Sequence, residues 1–395
     1  MSNSRAILKE KIFYGLLSIV FITIPFPKYS LNTQSIIVLC IYWLFYNSLS
    51  SKRKYLKENK RSFLIVSSLF WISLLGLFYT DSFHGVLSDL FIPFLIFPLI
   101  FFSVKGITKE KVGFLLDYFS IATIIASLIG LLKAFWLMYN GLGDYFYYLD
   151  FAKVLGIHTT YFSLFTCVSI IHVTNKLKLS SRLKLKDWLN LCAIIYMLFI
   201  LYMISAKISF ISLWVVLILG FVWSYKSMKK KHVFFGFFFI SCLPLVFFSP
   251  NLQTRIRHEK ASNINERVIL WEAVGKSYLE GNIFLGKGTG DGHKGLVEEY
   301  KKAGYEIAAK NEYNAHNQFL EQLLYFGLIG LTALSYIFFY SFRSMLLGRE
   351  LTYMLILVVF LLFMMSESLL KRHSGEVLFP LLVTIFLSTS KDEIK

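Results

Sequence analysis

Phe284-Leu285-Gly286-Lys287-Gly288-Thr289-Gly290-Asp291-Gly292 lies inside a polar stretch that runs from Pro250 to Glu321. This is the one long water-compatible segment of the chain. Arg255, Arg257 and Arg267 precede the glycines, and Asn314-Ala315-His316-Asn317 follows them. Apolar runs fill the rest of the sequence on both sides. Such a layout places a single polar segment between two sets of membrane-crossing helices, and any chemistry is expected to draw on that segment.

Composition agrees with a membrane protein. Hydrophobic residues make up 56% of the 395 and charged residues only 16%, where a soluble domain carries about 25% charged residues. Mean hydropathy is +0.60. A helix needs roughly 20 apolar residues to cross a bilayer, and that ruler gives about twelve candidate spans. They fall near 12–27, 34–49, 63–79, 87–104, 113–138, 151–174, 187–205, 208–225, 232–249, 317–342, 350–367 and 375–390. The expected fold class is therefore all-α, a polytopic integral membrane protein with one large periplasmic loop. Its parts are an N-terminal bundle over 1–249, the loop over 250–315 and a C-terminal bundle over 316–395. The first run lacks a small-residue cleavage site and reads as a retained span. Pro93 and Pro98 are expected to kink the fourth span, because each removes a backbone donor.

The net charge of +17 is explained by orientation and not by nucleic acid. With the N-terminus in the cytoplasm, twenty-five Lys and Arg fall in the short inner segments and the tail. Only Lys28, Lys153, Lys207, Lys371 and Arg372 fall in the short outer loops. The excess of basic residues marks the cytoplasmic side. Both termini are then cytoplasmic and the long loop faces outward. Within that loop Ile264, Val268, Trp271, Val274 and Tyr278 recur at helical spacing, which predicts an amphipathic helix lying on the membrane or on the bundle. A second short helix is expected over Lys294–Ala303, ended by Gly304.

The same topology brings four basic or imidazole side chains to the outer face. Lys207 lies in the short turn after Ile204, His316 opens the tenth span with Asn317, Arg267 is in the long loop, and His158 is near the outer end of the sixth span. Each has a plainer reading. Lys207 can snorkel to the headgroups, Arg267 can be a solvated charge, His316 can cap a helix beside Asn314, and His158 can be a satisfied interface histidine. The glycine cluster fits neither a P-loop nor a dinucleotide fingerprint. Its amides could meet a phosphate or simply make turns. Asp81 and Asp89 flank an outer loop, but the oxygen ligands are too sparse to suggest an obligatory metal. The four cysteines show no metal-like spacing. One chemistry suited to a histidine with two or three cations at an outer membrane face is transfer from a lipid-linked diphosphate sugar. Cations hold the diphosphate and stabilise its charge as it leaves, and a neutral imidazole takes the proton of an attacking hydroxyl.

Several motifs in order carry a resemblance: Asn265-Glu266-Arg267 with Trp271, Phe284 to Gly290, His316-Asn317-Gln318-Phe319-Leu320-Glu321, and Gly327-Leu328-Ile329-Gly330-Leu331. Together they resemble the O-antigen ligase and polymerase superfamily. Ser205-Ala206-Lys207 is similar to that family's Ser-Arg element, with Lys in place of the usual Arg, which keeps the charge but loses the two-pronged fork. Gly76-Leu77-Phe78-Tyr79-Thr80 is also similar. The resemblance implies a GT-C-like helical glycosyltransferase of the bacterial inner membrane with its active site facing the periplasm. The donor would be an undecaprenyl diphosphate-linked glycan, and the acceptor lipid A–core or another glycan. Neither cofactor nor metal is implied. The bilayer is a partner and nucleic acid is not. His316, Arg267 and Lys207 would be catalytic. Asn317 and Glu321 would position His316 or bind the sugar, Glu321 lying one turn deeper in the helix, where a structural role is the plainer reading. His158, Arg255, Arg257, Gly288 and Gly290 would bind substrate, and the 250–315 loop would act as a lid touching the donor lipid. A repeat-unit polymerase is the alternative within the superfamily. A transporter or flippase is the alternative outside it, for which Lys133 and the kinked fourth span are the hints.

Overall fold

A computed structural model describes residues 2–81, 86–177, 184–224 and 266–389. Arg255, Arg257 and the run expected at 232–249 lie outside them. The described residues are helical, with no strand beyond an isolated bridge between Asn282 and Gly286. The helices are α1 (Ser2–Thr23), α2 (Tyr29–Tyr46), α3 (Leu49–Glu58), α4 (Lys60–Leu75), α5 (Val86–Asp89) and α6 (Pro93–Phe102). They continue with α7 (Lys109–Tyr139), α8 (Tyr148–Leu155), α9 (Thr159–Lys176), α10 (Leu185–Ile204) and α11 (Lys207–Ser224). The last six are α12 (Glu266–Leu279), α13 (Gly292–Lys302), α14 (Glu306–Lys310), α15 (Gln318–Leu347), α16 (Leu351–Met364) and α17 (His373–Thr389). Each candidate span among the described residues falls on one of these helices or on a broken pair of them. By length and composition, four stretches can cross a membrane: Lys60–Tyr79, Lys109–Tyr139, Leu185–Ile204 and Gln318–Leu347. The pair α8 and α9, bent by 81°, makes a fifth if it counts as one span.

The chain gathers into two compact units, one drawn from 1–47, 108–258 and 350–363, the other from 48–107, 259–349 and 364–395. In the first, α9 is the centre. It is buried at almost every position from Thr159 to Val173, with Ser163, Thr166, Ser169 and His172 among its buried polar side chains, and it packs against α7, α10 and α11. Helix α7 buries Ala122, Ala126, Gly130 and Ala134, a small residue every fourth position. That spacing lets a neighbouring helix approach closely. A Cβ at Gly130 would meet Leu155 Cδ2 of α8 at 2.5 Å. Asp117 of α7 accepts from Lys176 and pairs with His172 Nε2 at 2.8 Å, both on α9. Lys111 pairs with Glu10 of α1, and Lys109 with Glu350.

In the second unit α4 packs against α6 and α15, α6 against α17, and α12 against α13 and α15. Pro93 does not kink a continuous helix. It starts α6, after a turn in which Phe91 takes a φ of 45°, while Pro98 is accommodated inside α6. Proline is tolerated at the first helical position because the N–H it lacks would be unpaired there anyway.

Helix α15 is broken at Gly327, whose φ of 60° and ψ of −155° are not helical. The break opens two helical bonds, those from Leu328 to Leu324 and from Ile329 to Tyr325. In a membrane helix such groups must find partners within the protein. The glycine-rich loop supplies all four. Lys287 and Gly288 donate their amides to the carbonyls of Leu324 and Tyr325, at 3.0 and 2.9 Å. The amides of Leu328 and Ile329 donate to the carbonyls of Ile283 and Phe284, at 3.0 and 3.2 Å. Backbones this close leave no room for a side chain. A Cβ on Gly286, itself at a φ of 70°, would lie 2.6 Å from backbone atoms of Tyr325, Phe326 and Gly327. Below the break 328–347 is long enough, at about 1.5 Å per residue, to cross the hydrocarbon core by itself.

Candidate active site

The N-terminus of α15 carries the candidate residues. Asn317 is the N-cap, and its Oδ1 accepts from the amides of Phe319 and Leu320 at 3.0 and 3.2 Å. The capping task expected of His316 is thus performed by its neighbour. His316 sits at a φ of 45°, with its amide donating to Asn314 Oδ1 at 3.0 Å. That turn aims the imidazole away from the helix and toward the segment joining α16 to α17. There Nδ1 lies 3.1 Å from Oε1 of Glu367, whose side chain is 10% exposed. The imidazole itself is about one-third exposed, at 35%. Tyr313 stands edge-on to the ring, 6.0 Å between centroids.

The 365–370 segment is fastened to α15 by four contacts in register. Asn317 Nδ2 donates to Met365 O at 3.2 Å. His316 meets Glu367, as given above. Ser368 Oγ donates to Glu321 Oε2 at 2.9 Å, and the Leu370 amide donates to Gln318 Oε1 at 2.7 Å. Glu321 Oε2 also accepts the amide of Ala315 at 3.0 Å. Helix α12 closes the third side. Trp271 Nε1 donates to Ala315 O at 3.1 Å, and exposed Arg267 reaches Ser366 O through Nη2 at 3.5 Å. Arg267 and His316 therefore meet two adjacent residues, Ser366 and Glu367 respectively, from two elements far apart in sequence.

Other expectations fare differently. Leu270, Ala273, Val274 and Ser277 form the buried face of α12, while Val268 and Trp271 are exposed. The packed stripe is thus offset from the one read off the sequence, because Trp271 is drawn toward Ala315. The amides of Gly288 and Gly290 are committed, the first to Tyr325 O and the second to Thr80 Oγ1 at 3.0 Å. Their turn is braced by Thr289 Oγ1 donating to Ser73 O, and by Asp291 Oδ2 accepting from Thr80 Oγ1 and the Asp81 amide. As observed, this loop closes the helix break and docks on 76–81. It offers neither of these two amides to a phosphate. His158 and Lys207 belong to the first unit. His158 is the N-cap of α9, its Nδ1 accepting from the Thr160 amide at 3.4 Å. Lys207 opens α11, after Ser205 makes a left-handed turn with a φ of 50°.

Glu367 was missed by sequence reasoning. The signal was present, since a carboxylate at the end of the apolar run 350–367 is costly unless it has a partner. Lys371 was counted only as a basic residue of an outer loop. Its Nζ lies 2.8 Å from Asp89 Oδ1 and 3.7 Å above the Tyr325 ring.

Away from the site, Glu280 after α12 pairs with Lys302 at the end of α13, at 3.0 Å. The hydrogen bond and charge of Lys302 hold the Glu280 carboxyl below its usual range. Burial, and next the Glu321 carboxylate, raise the hydroxyl pKa of Tyr300 on α13.

Residues 192–335 match the family described as O-antigen ligase. The match includes Lys207, Arg267, His316, Asn317 and Glu321, and it stops short of Glu367 and Lys371. No curated protein matches the chain.

Proposed function

We propose that this chain, an O-antigen ligase or polymerase-type membrane enzyme by its matched domain, transfers a glycan from undecaprenyl diphosphate to an acceptor hydroxyl at the periplasmic face. The favoured acceptor is the lipid A–core sugar. The observation that carries this reading is the pairing of His316, inside the matched residues, with Glu367, which lies beyond them. A carboxylate accepting the Nδ1 proton fixes the imidazole tautomer that leaves Nε2 with a lone pair. Nε2 then takes the proton as the acceptor oxygen bonds to the anomeric carbon. The bond from that carbon to the phosphate oxygen breaks, and the diphosphate leaves with the electron pair. Arg267, exposed and steadied at Ser366 O, offers its remaining donors to the diphosphate, where a guanidinium matches phosphate geometry. The reaction as written needs neither cofactor nor metal. The inner membrane is the expected location, with both termini cytoplasmic.

The test is reconstitution of the purified chain in vesicles with undecaprenyl diphosphate-linked oligosaccharide and three acceptors: lipid A–core, a second lipid-linked repeat unit, and none. Transfer to lipid A–core supports ligation. Extension of the lipid-linked repeat assigns polymerisation instead. Consumption of donor with no acceptor dependence, or no transfer at all, overturns the reading.

A further inference from the structure

The charged groups beneath His316 take no part in the reaction just described. Glu321 is 1% exposed, one turn inside α15, too deep to touch a sugar without opening the site. A single oxygen, Oε2, accepts from Ala315 N–H and from Ser368 Oγ. Ala315 immediately precedes His316, and Ser368 immediately follows Glu367. One carboxylate oxygen thereby binds both short segments that carry the imidazole–carboxylate pair. Among the described residues the other oxygen, Oε1, makes no hydrogen bond, and it faces Lys371 Nζ at 3.9 Å. Lys371 is held in turn by Asp89, and the two side chains are 17% and 14% exposed. Carboxylates this deep stay charged only when paired, and removing one partner leaves an uncompensated charge.

We propose that Glu321, with Lys371 and Asp89 behind it, is a positioning unit that sets the register of His316 against Glu367, and that Glu321 is not a sugar ligand. This rests on the reading of His316 as the proton acceptor. The unit acts through geometry. Lys371 orients Glu321, and Glu321 keeps the two backbone segments together. A shift of about 1 Å between reacting groups costs roughly a hundredfold in rate.

The experiment uses the full chain in vesicles, with Glu321→Gln, Lys371→Met and Lys371→Arg. It reads kcat and the KM for acceptor, together with the nitrogen NMR shifts of the His316 ring, which report its hydrogen bond to Glu367 without substrate. Glu321→Gln and Lys371→Met should lower kcat by about a hundredfold, with KM little changed. Both should move the His316 ring resonances. Lys371→Arg, which keeps the charge, should restore most of the rate. If Lys371→Met fails to fold because Asp89 and Glu321 are left unpaired, the isosteric Glu321→Gln still decides. A raised acceptor KM at unchanged kcat would make Glu321 a sugar ligand and overturn the proposal, as would unchanged kcat and unchanged ring resonances. A wild-type chain that transfers nothing would instead sink the proposed reaction, while the NMR shifts would still decide the positioning role.

Discussion

Among the described residues two histidines stand just before helices, and they are used in opposite ways. His158 is itself the N-cap of α9, and its Nδ1 accepts a backbone amide of the first turn. His316 stands one residue earlier relative to α15, because Asn317 takes the cap and satisfies two amides. Relieved of that task, the His316 ring turns to Glu367. A histidine at a helix start is therefore not a site by virtue of its position. The residue beside it decides whether its ring nitrogen is consumed by the backbone or left for chemistry.

The largest expected effect separates the two directly. His316→Ala should lower transfer by about two to four orders of magnitude, the span of general-base contributions, with membrane insertion intact. His158→Asn should retain transfer, since asparagine is among the best N-caps. Equal losses in the two variants, measured as initial rates on equally expressed protein, would erase the contrast. Glu367→Gln comes next. The amide keeps the shape but can present an N–H to the ring and select the wrong tautomer, so a loss of about a hundredfold is expected, at the lower end of the same range. Full activity would remove Glu367 from the mechanism.

Asn317→Ala tests the cap that frees His316. It removes two amide partners of α15 and the tie to Met365 O. A loss of about 1 kcal/mol is expected from the cap alone, read as a lower midpoint of thermal unfolding in detergent. Transfer should fall too, because the ring then competes for the vacated cap. The smallest effect belongs to Glu280→Ala, which leaves Lys302 paired with buried Glu299. The pairing of Glu280 with Lys302 is exposed on both sides, and such pairs contribute little. Glu280 is held below its ordinary value of 4.5. The pair's stabilisation is thus full above that value and lost as the pH falls through the lowered one. The variant should match the parent at neutral pH and lack this acid-range dependence in unfolding scans.

Helix positions were legible because crossing a bilayer demands long apolar runs, and nothing else in the chain imitates them. The break at Gly327 was visible only as one glycine in the motif Gly327 to Leu331. The groups that close it come from Ile283 to Gly288, and no local pattern announces a pairing between a loop and a helix some forty residues on. His316, Asn317, Arg267 and Glu321 were legible as residue types in a recognisable order, but their tasks were not. Asn317 proved to be the cap, Glu321 the tie between two segments, and Gly288 and Gly290 partners of a broken helix and of Thr80.

By itself the sequence determined the helical class, the candidate spans and the polar segment that separates two sets of apolar runs. Those follow from hydropathy and charge, which are summed along the chain and need no knowledge of neighbours. Only tertiary structure decided that Glu367 faces His316 and that Arg267 reaches the same segment. It alone showed that Lys371 and Asp89 stand behind Glu321. A buried ion is tolerated only beside its counter-ion, and that neighbour is chosen in space, across gaps of dozens to hundreds of residues that no sequence period records.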